Sequence, residues 1–148
     1  MRSEDKSSER FVPEGPANNE EFQRHIGRYV FASHYVEDKT VLDAASGAGY
    51  GSCYLAKLGA ANVIGSDISF DAIDYASKRY QRERLHFVLA DITKMPFRDD
   101  SFDFIVSFET IEHIEQPETF LSECARVLRK KGSVKCSTPN NGVCCLSL

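Results

Sequence analysis

Several features are missing from this 148-residue chain, and each absence narrows what it can be. No apolar run approaches the roughly 20 residues that a membrane-spanning helix needs. The opening Met1-Arg2-Ser3-Glu4-Asp5-Lys6 is polar and lacks the apolar segment of a secretory signal. Positive charge is not in excess: 18 Lys and Arg stand against 22 Asp and Glu, a formal net charge of -4. That balance argues against a nucleic-acid or anionic-membrane surface, because both need clustered cations. The five cysteines (Cys53, Cys124, Cys136, Cys144 and Cys145) are odd in number and form no CxxC pair. They suggest neither a disulfide framework nor a zinc site, so no metal is expected and a reduced, cytoplasmic setting is the simplest reading. No internal repeat is present.

What is present fits one soluble domain, with a hydrophobic fraction of 42%. Residues 1–19, rich in Ser, Glu, Pro and Gly, read as a flexible arm. Phe22, Ile26, Tyr29 and Val30 recur at helical spacing and predict a helix over 20–35. Short apolar strands then alternate with helices. Strands are expected at 40–43, 62–67, 85–91, 102–107 and, more weakly, 133–137, with helices at 52–58, 70–80 and 117–129. Gly132 is expected to end the last helix as a left-handed cap. Such alternation implies right-handed crossovers, a parallel sheet and helices on both faces. Ligands of these sheets bind beyond the carboxyl ends of the strands.

The acids and glycines fall at those ends. Asp43-Ala44-Ala45-Ser46-Gly47-Ala48-Gly49-Tyr50-Gly51 carries a strand into a tight turn that opens a helix. The spacing is G-x-G-x-G, not the G-x-G-x-x-G of dinucleotide sites, because Ser52 stands where the third glycine would be, and the G-K-[ST] of a P-loop is absent. Asp43 just before the glycines would repel a pyrophosphate and suits a ligand with a positive amino group and a sulfonium. Asp67 ends the second strand, where a carboxylate can accept both ribose hydroxyls. Asp91 ends the third. Glu109 and His113 follow the fourth strand four residues apart, which on a helix places them on one face, and a neutral His113 could act as a general base.

The glycine segment resembles motif I of class I S-adenosylmethionine (AdoMet)-dependent methyltransferases, D-x-G-x-G-x-G, with Ala45 in place of the first glycine. Met95-Pro96-Phe97-Arg98-Asp99-Asp100-Ser101-Phe102-Asp103 is similar to the PF-x-D-x-SFD stretch of ubiquinone-biosynthesis-type members. Arg126-Val127-Leu128-Arg129-Lys130-Lys131-Gly132 is similar to their R-V-L-K-P-G-G helix end. The resemblance runs from about Arg10 to Asn140. It implies a Rossmann-like α/β three-layer sandwich of strand order 3-2-1-4-5, with an incomplete AdoMet-binding methyltransferase domain over 20–140. The chain is expected to be cut short, lacking the family's last two strands, with an irregular tail over 141–148. Strand five would then be an exposed edge, open to pairing into a dimer.

The resemblance further implies that AdoMet is held by Asp43, Ala45, Gly47, Gly49, Asp67, Ile68, Asp91, Ile92 and Phe108. Ile68 and Ile92 would contact the adenine, and the carboxylates of Asp43, Asp67 and Asp91 would converge around the glycine turn. Arg10 or Tyr29 could close over the cofactor's carboxylate. Glu109 and His113 would flank the transferred methyl. The expected activity is methyl transfer to a small-molecule acceptor (a lipid, quinone or sugar-related compound). An AdoMet-binding module without catalysis is the alternative, and a nicotinamide-dependent dehydrogenase, which the glycine spacing disfavours, is a third reading.

Overall fold

The computed structural model of the chain describes residues 20–138 and 142–147. The arm expected over 1–19, with Arg10, lies outside them, as does Asn140. Six strands form one sheet in the order β3-β2-β1-β4-β5-β6. β1 (Thr40–Ala44), β2 (Asn62–Asp67), β3 (Leu85–Leu89), β4 (Phe102–Phe108) and β5 (Leu128–Thr138) run parallel. β6 (Gly142–Ser147) pairs antiparallel with β5. The five parallel strands thus have the order expected from sequence.

The strands are apolar on both faces, and alternate residues feed two cores. Val41, Val63, Phe104, Val106 and Phe108 meet Tyr29 and Ala32 of α1 (Glu20–Ser33) and Cys53 and Leu55 of α2 (Tyr50–Lys57). Leu42, Ala44, Ile105 and Val134 meet Phe120, Cys124 and Val127 of α4 (Pro117–Val127). α3 (Phe70–Arg79) buries Ala72, Ile73 and Ala76, and its N-cap Ser69 accepts the Ala72 N–H at 3.3 Å. Among the described residues no helix is long and apolar enough to cross a membrane.

The Pro96–Asp103 stretch has a structural account. Arg126 of α4 donates to Phe97 O at 2.7 Å, Met95 O at 3.0 Å and Asp99 Oδ1 at 2.9 Å. Asp103 accepts the Thr40 N–H at 2.9 Å, which ties the start of β4 to the start of β1.

The structure departs from the sequence-based expectations at the end of α4, after β4 and in the tail. The helix before β5 ends at Val127, and β5 begins at Leu128. The left-handed position is Lys131 (φ 67), not Gly132. Gly132 instead permits close packing, since a Cβ there would lie 2.8 Å from Leu128 Cδ2 and 2.9 Å from Arg129 O. The segment after β4 is a 3-10 turn at Ile111–His113, with Glu109 at φ 54, so Glu109 and His113 do not share a helical face. The tail is not irregular. Residues 142–147 pair with β5 from Thr138↔Gly142 to Ser133↔Ser147, satisfying backbone groups that β5 would otherwise leave open. β5 is therefore not an edge; β6 is.

Candidate active site

The chain runs β1, β2, β3 to one side of the sheet and then returns to lay β4 beside β1. The turn after β1 and the turn after β4 diverge at this switch point and open a crevice at the carboxyl edge. A cleft of about 500 Å³ lies there, lined by Ala45, Ser46, Gly47 and Ala48 after β1, Asp67 at the end of β2, Phe108 at the end of β4, and Glu109, Thr110, Glu112 and His113 after it. Glu21, Arg24, His25 and Arg28 of α1 and Tyr50 of α2 form its remaining wall.

The turn's shape comes from left-handed backbone at Ala45 (φ 65), Gly47 (φ 54) and Gly49 (φ 85). Gly49 caps α2, and a Cβ there would come 2.7 Å from Ala76 Cβ and from the Phe87 ring. A Cβ on Gly47 would meet nothing within 4 Å, so only its backbone geometry calls for glycine. Asp67 braces the turn: Oδ2 accepts the Gly47 N–H and Oδ1 the Ser69 N–H, both at 2.9 Å.

The three carboxylates do not converge. Only Asp67 lines the cleft. Asp43 is wholly buried below the turn, where it accepts Ser52 Oγ at 2.7 Å and the Tyr29 hydroxyl at 3.1 Å to each oxygen. Burial, with a smaller contribution from Asp67, pushes its carboxyl up to about 7 despite those hydrogen bonds. Asp91 lies beyond β3 and is exposed. It accepts Thr93 Oγ1 at 2.7 Å and Thr93 N at 2.8 Å, which hold it below the usual carboxylate range. Ile92 packs against the α4-side core, and Ile68 is 73% exposed. Tyr29 is committed to Asp43 and only 3% exposed, so it does not reach out over a ligand. Burial raises its phenol well above the ordinary value.

Glu109 and His113 both line the cleft but form no dyad. The Glu109 carboxylate forms an ion pair with Arg28 of α1, whereas His113 is exposed and 3.9 Å from Glu112. His25 sits against the rings of Tyr29 and Tyr50 at 5.5 Å each, and burial lowers its pKa, with Glu109 opposing and Arg28 reinforcing the shift. Sequence reasoning missed this α1 wall. Its signal is a second stripe: Glu21, Arg24, His25 and Arg28 recur at i, i+3, i+4 and i+7, beside the apolar stripe of Phe22, Ile26, Tyr29 and Val30. Among the described residues no group of three His, Cys, Asp or Glu could hold a metal ion.

Comparison with known proteins agrees with this geometry. A family model described as "methyltransferase domain" matches residues 42–136. A Mycobacterium tuberculosis protein named a probable S-adenosylmethionine-dependent methyltransferase is 35% identical over 134 residues, 90% of this chain and 48% of that protein. A fatty-acid O-methyltransferase of Mycolicibacterium smegmatis is 37% identical over 98 residues, 66% of this chain and 36% of that protein. A Haloferax volcanii structure of a methyltransferase with the Trm112 methyltransferase activator superposes with a TM-score of 0.72 and 29% identity, over 79% of this chain and 53% of that one. The chain thus spans about half the length of the curated relatives it matches over most of its own length.

Proposed function

The chain belongs to the methyltransferase domain family, and from that premise we propose that it binds AdoMet in the switch-point cleft and transfers the methyl to a small-molecule acceptor. One observation carries the reading: a carboxylate at the end of β2, Asp67, grips the left-handed glycine turn after β1 inside a cleft of about 500 Å³. That volume falls within the ~300–1,000 Å³ of small-molecule sites.

The residues fit the cofactor. A carboxylate accepts about four hydrogen bonds, and Asp67 uses two on the backbone, which leaves capacity for ribose hydroxyls. Ser46 Oγ, buried in the cleft wall, has no hydrogen-bond partner among the described residues and suits a polar ligand group. Phe108 closes the β4 side with an apolar ring, packed edge-on against Tyr29 at 5.0 Å.

Bound AdoMet supplies a methyl group already activated on a sulfonium sulfur. The chain's own contribution is positioning. Asp67 and the Ala45–Ala48 turn hold the nucleoside and amino-acid parts, α1 walls off water, and Phe108 with the segment through His113 flanks the acceptor side. A base matters only where the acceptor must lose a proton early. Glu109 is occupied by Arg28, so of the two residues first considered His113 is the better placed to take one. The acceptor proposed is a lipid, quinone or sugar-related molecule. Support comes from relatives named for fatty acids, sterols and phthiotriol dimycocerosates. A second reading, binding without transfer, is favoured by the separation of Glu109 from His113.

Calorimetric titration with AdoMet, S-adenosylhomocysteine and NAD tests the cofactor. Binding of the first two and not NAD is expected, and binding of NAD alone would sink the proposal. Label from methyl-labelled AdoMet appearing in fatty-acid, sterol, quinone or glycoside acceptors separates transfer from binding.

A further inference from the structure

Resting on the AdoMet reading, we propose that the hydroxyls of Ser46 and Tyr50 receive the α-carboxylate of the cofactor's amino-acid end. Both residues line the cleft, and both hydroxyl oxygens are buried with no hydrogen-bond partner among the described residues. A buried hydroxyl left unpaired costs roughly 1–3 kcal/mol, so such groups call for an explanation. Two neighbouring serines are satisfied, Ser52 Oγ by Asp43 at 2.7 Å and Ser107 Oγ by Ala44 O at 2.9 Å; Ser66 Oγ is buried and unpartnered as well, but Ser66 does not line the cleft. Ser46 is also buried, at 5% exposure, yet lacks such a bond.

Tyr50 is the first residue of α2 and Ser46 lies four residues before it, so both residues flank the N-terminal end of that helix, where the dipole favours negative charge. The Tyr50 ring packs among Phe22, His25 and Tyr29 of α1, the helix that brings Arg24 and Arg28 to the cleft. Asp67 stands at the β2 side of the same cleft. The cleft holds the two unpaired hydroxyls and Arg24, together with Glu21 and an Arg28 already paired with Glu109; with Asp67 at its β2 side, it matches a ligand with a carboxylate at one end and ribose hydroxyls at the other.

Decarboxylated AdoMet keeps the nucleoside, sulfonium and amine and lacks only the carboxylate. Wild type, Ser46→Ala and Tyr50→Phe are titrated with it and with AdoMet. Wild type is expected to favour AdoMet. Each variant should lose roughly tenfold toward AdoMet, as a hydrogen bond to a charged group implies, and change little toward the decarboxylated ligand. Tyr50→Phe keeps the ring and its packing, and Ser46→Ala removes one atom, so two independent variants report. Equal losses toward both ligands, or no loss in either variant, overturn the assignment. Wild type binding neither ligand overturns the cofactor reading itself, a separate result.

Discussion

Asp43 shows how little a residue's place in a motif says about what its side chain does. Its carboxyl is raised to about 7 by burial, against an ordinary 3.8. The native state therefore keeps this proton to higher pH than the unfolded chain. Between pH about 4 and 7 the native state binds more protons, so stability falls as pH rises through that window and levels off above it. Asp43→Asn removes the ionisation while still accepting the Tyr29 hydroxyl. The stability difference between variant and wild type should move by about 2 kcal/mol in the variant's favour from pH 5 to pH 7.5. Urea unfolding at the two pH values measures this, and a difference that stays constant would contradict it. Ala45 is a second residue-scale case. It holds φ 65 with a Cβ, which costs ~1–2 kcal/mol that glycine avoids, partly offset by glycine's greater chain entropy. Ala45→Gly should stabilise the fold by about 0.5–1 kcal/mol in the same assay, and a destabilised variant would show that the Cβ makes contacts worth more than the strain.

At the scale of elements, α1 is fixed by a close approach. The Tyr29 ring lies over Gly51 of α2 so tightly that a Cβ there would fall 2.1 Å from Tyr29 Cζ, and the hydroxyl beyond it reaches Asp43. Gly51→Ala should destabilise by about 1–3 kcal/mol through overpacking, even though alanine is the better helix former. In a Tyr29→Leu background the same change should cost less. A double-mutant cycle by chemical denaturation decides, and strictly additive values would show that the two residues do not meet. These contacts also explain what could be read in the sequence. Helix and strand periods are local, so α1, α3, β1, β2 and β4 were legible from Phe22/Ile26, Val41/Leu42 and their like. The burial of Asp43 depends on Tyr29, fourteen positions earlier, and the Arg28–Glu109 ion pair joins segments 81 positions apart; neither leaves a local pattern. The turn after β4 was misread because Glu109 and His113 have helical spacing, while the left-handed backbone at Glu109, held by its N–H to Ser137 O at 3.2 Å, belongs to the packing against β5.

At the scale of the molecule, strand order was legible because parallel strands with helical crossovers leave few topologies. The last strand was not, because residues 142–147 carry no period of their own and become a strand only by completing the ladder of β5. β6 then presents an outer row of backbone donors and acceptors with no strand beyond it among the described residues. We predict that in the 148-residue chain this edge pairs with a second copy. Along an antiparallel strand successive residues point their N–H groups alternately to the two sides. Cys144 and Cys145 stand opposite Cys136 and Lys135, so one of their N–H groups serves β5 and the other faces outward. Cys144→Pro and Cys145→Pro should therefore split. One variant loses stability, because the β5–β6 ladder is broken. The other keeps its melting temperature and loses self-association in sedimentation. If the wild-type chain sediments as a monomer, or if both variants associate as wild type does, the edge is blunted by something other than pairing.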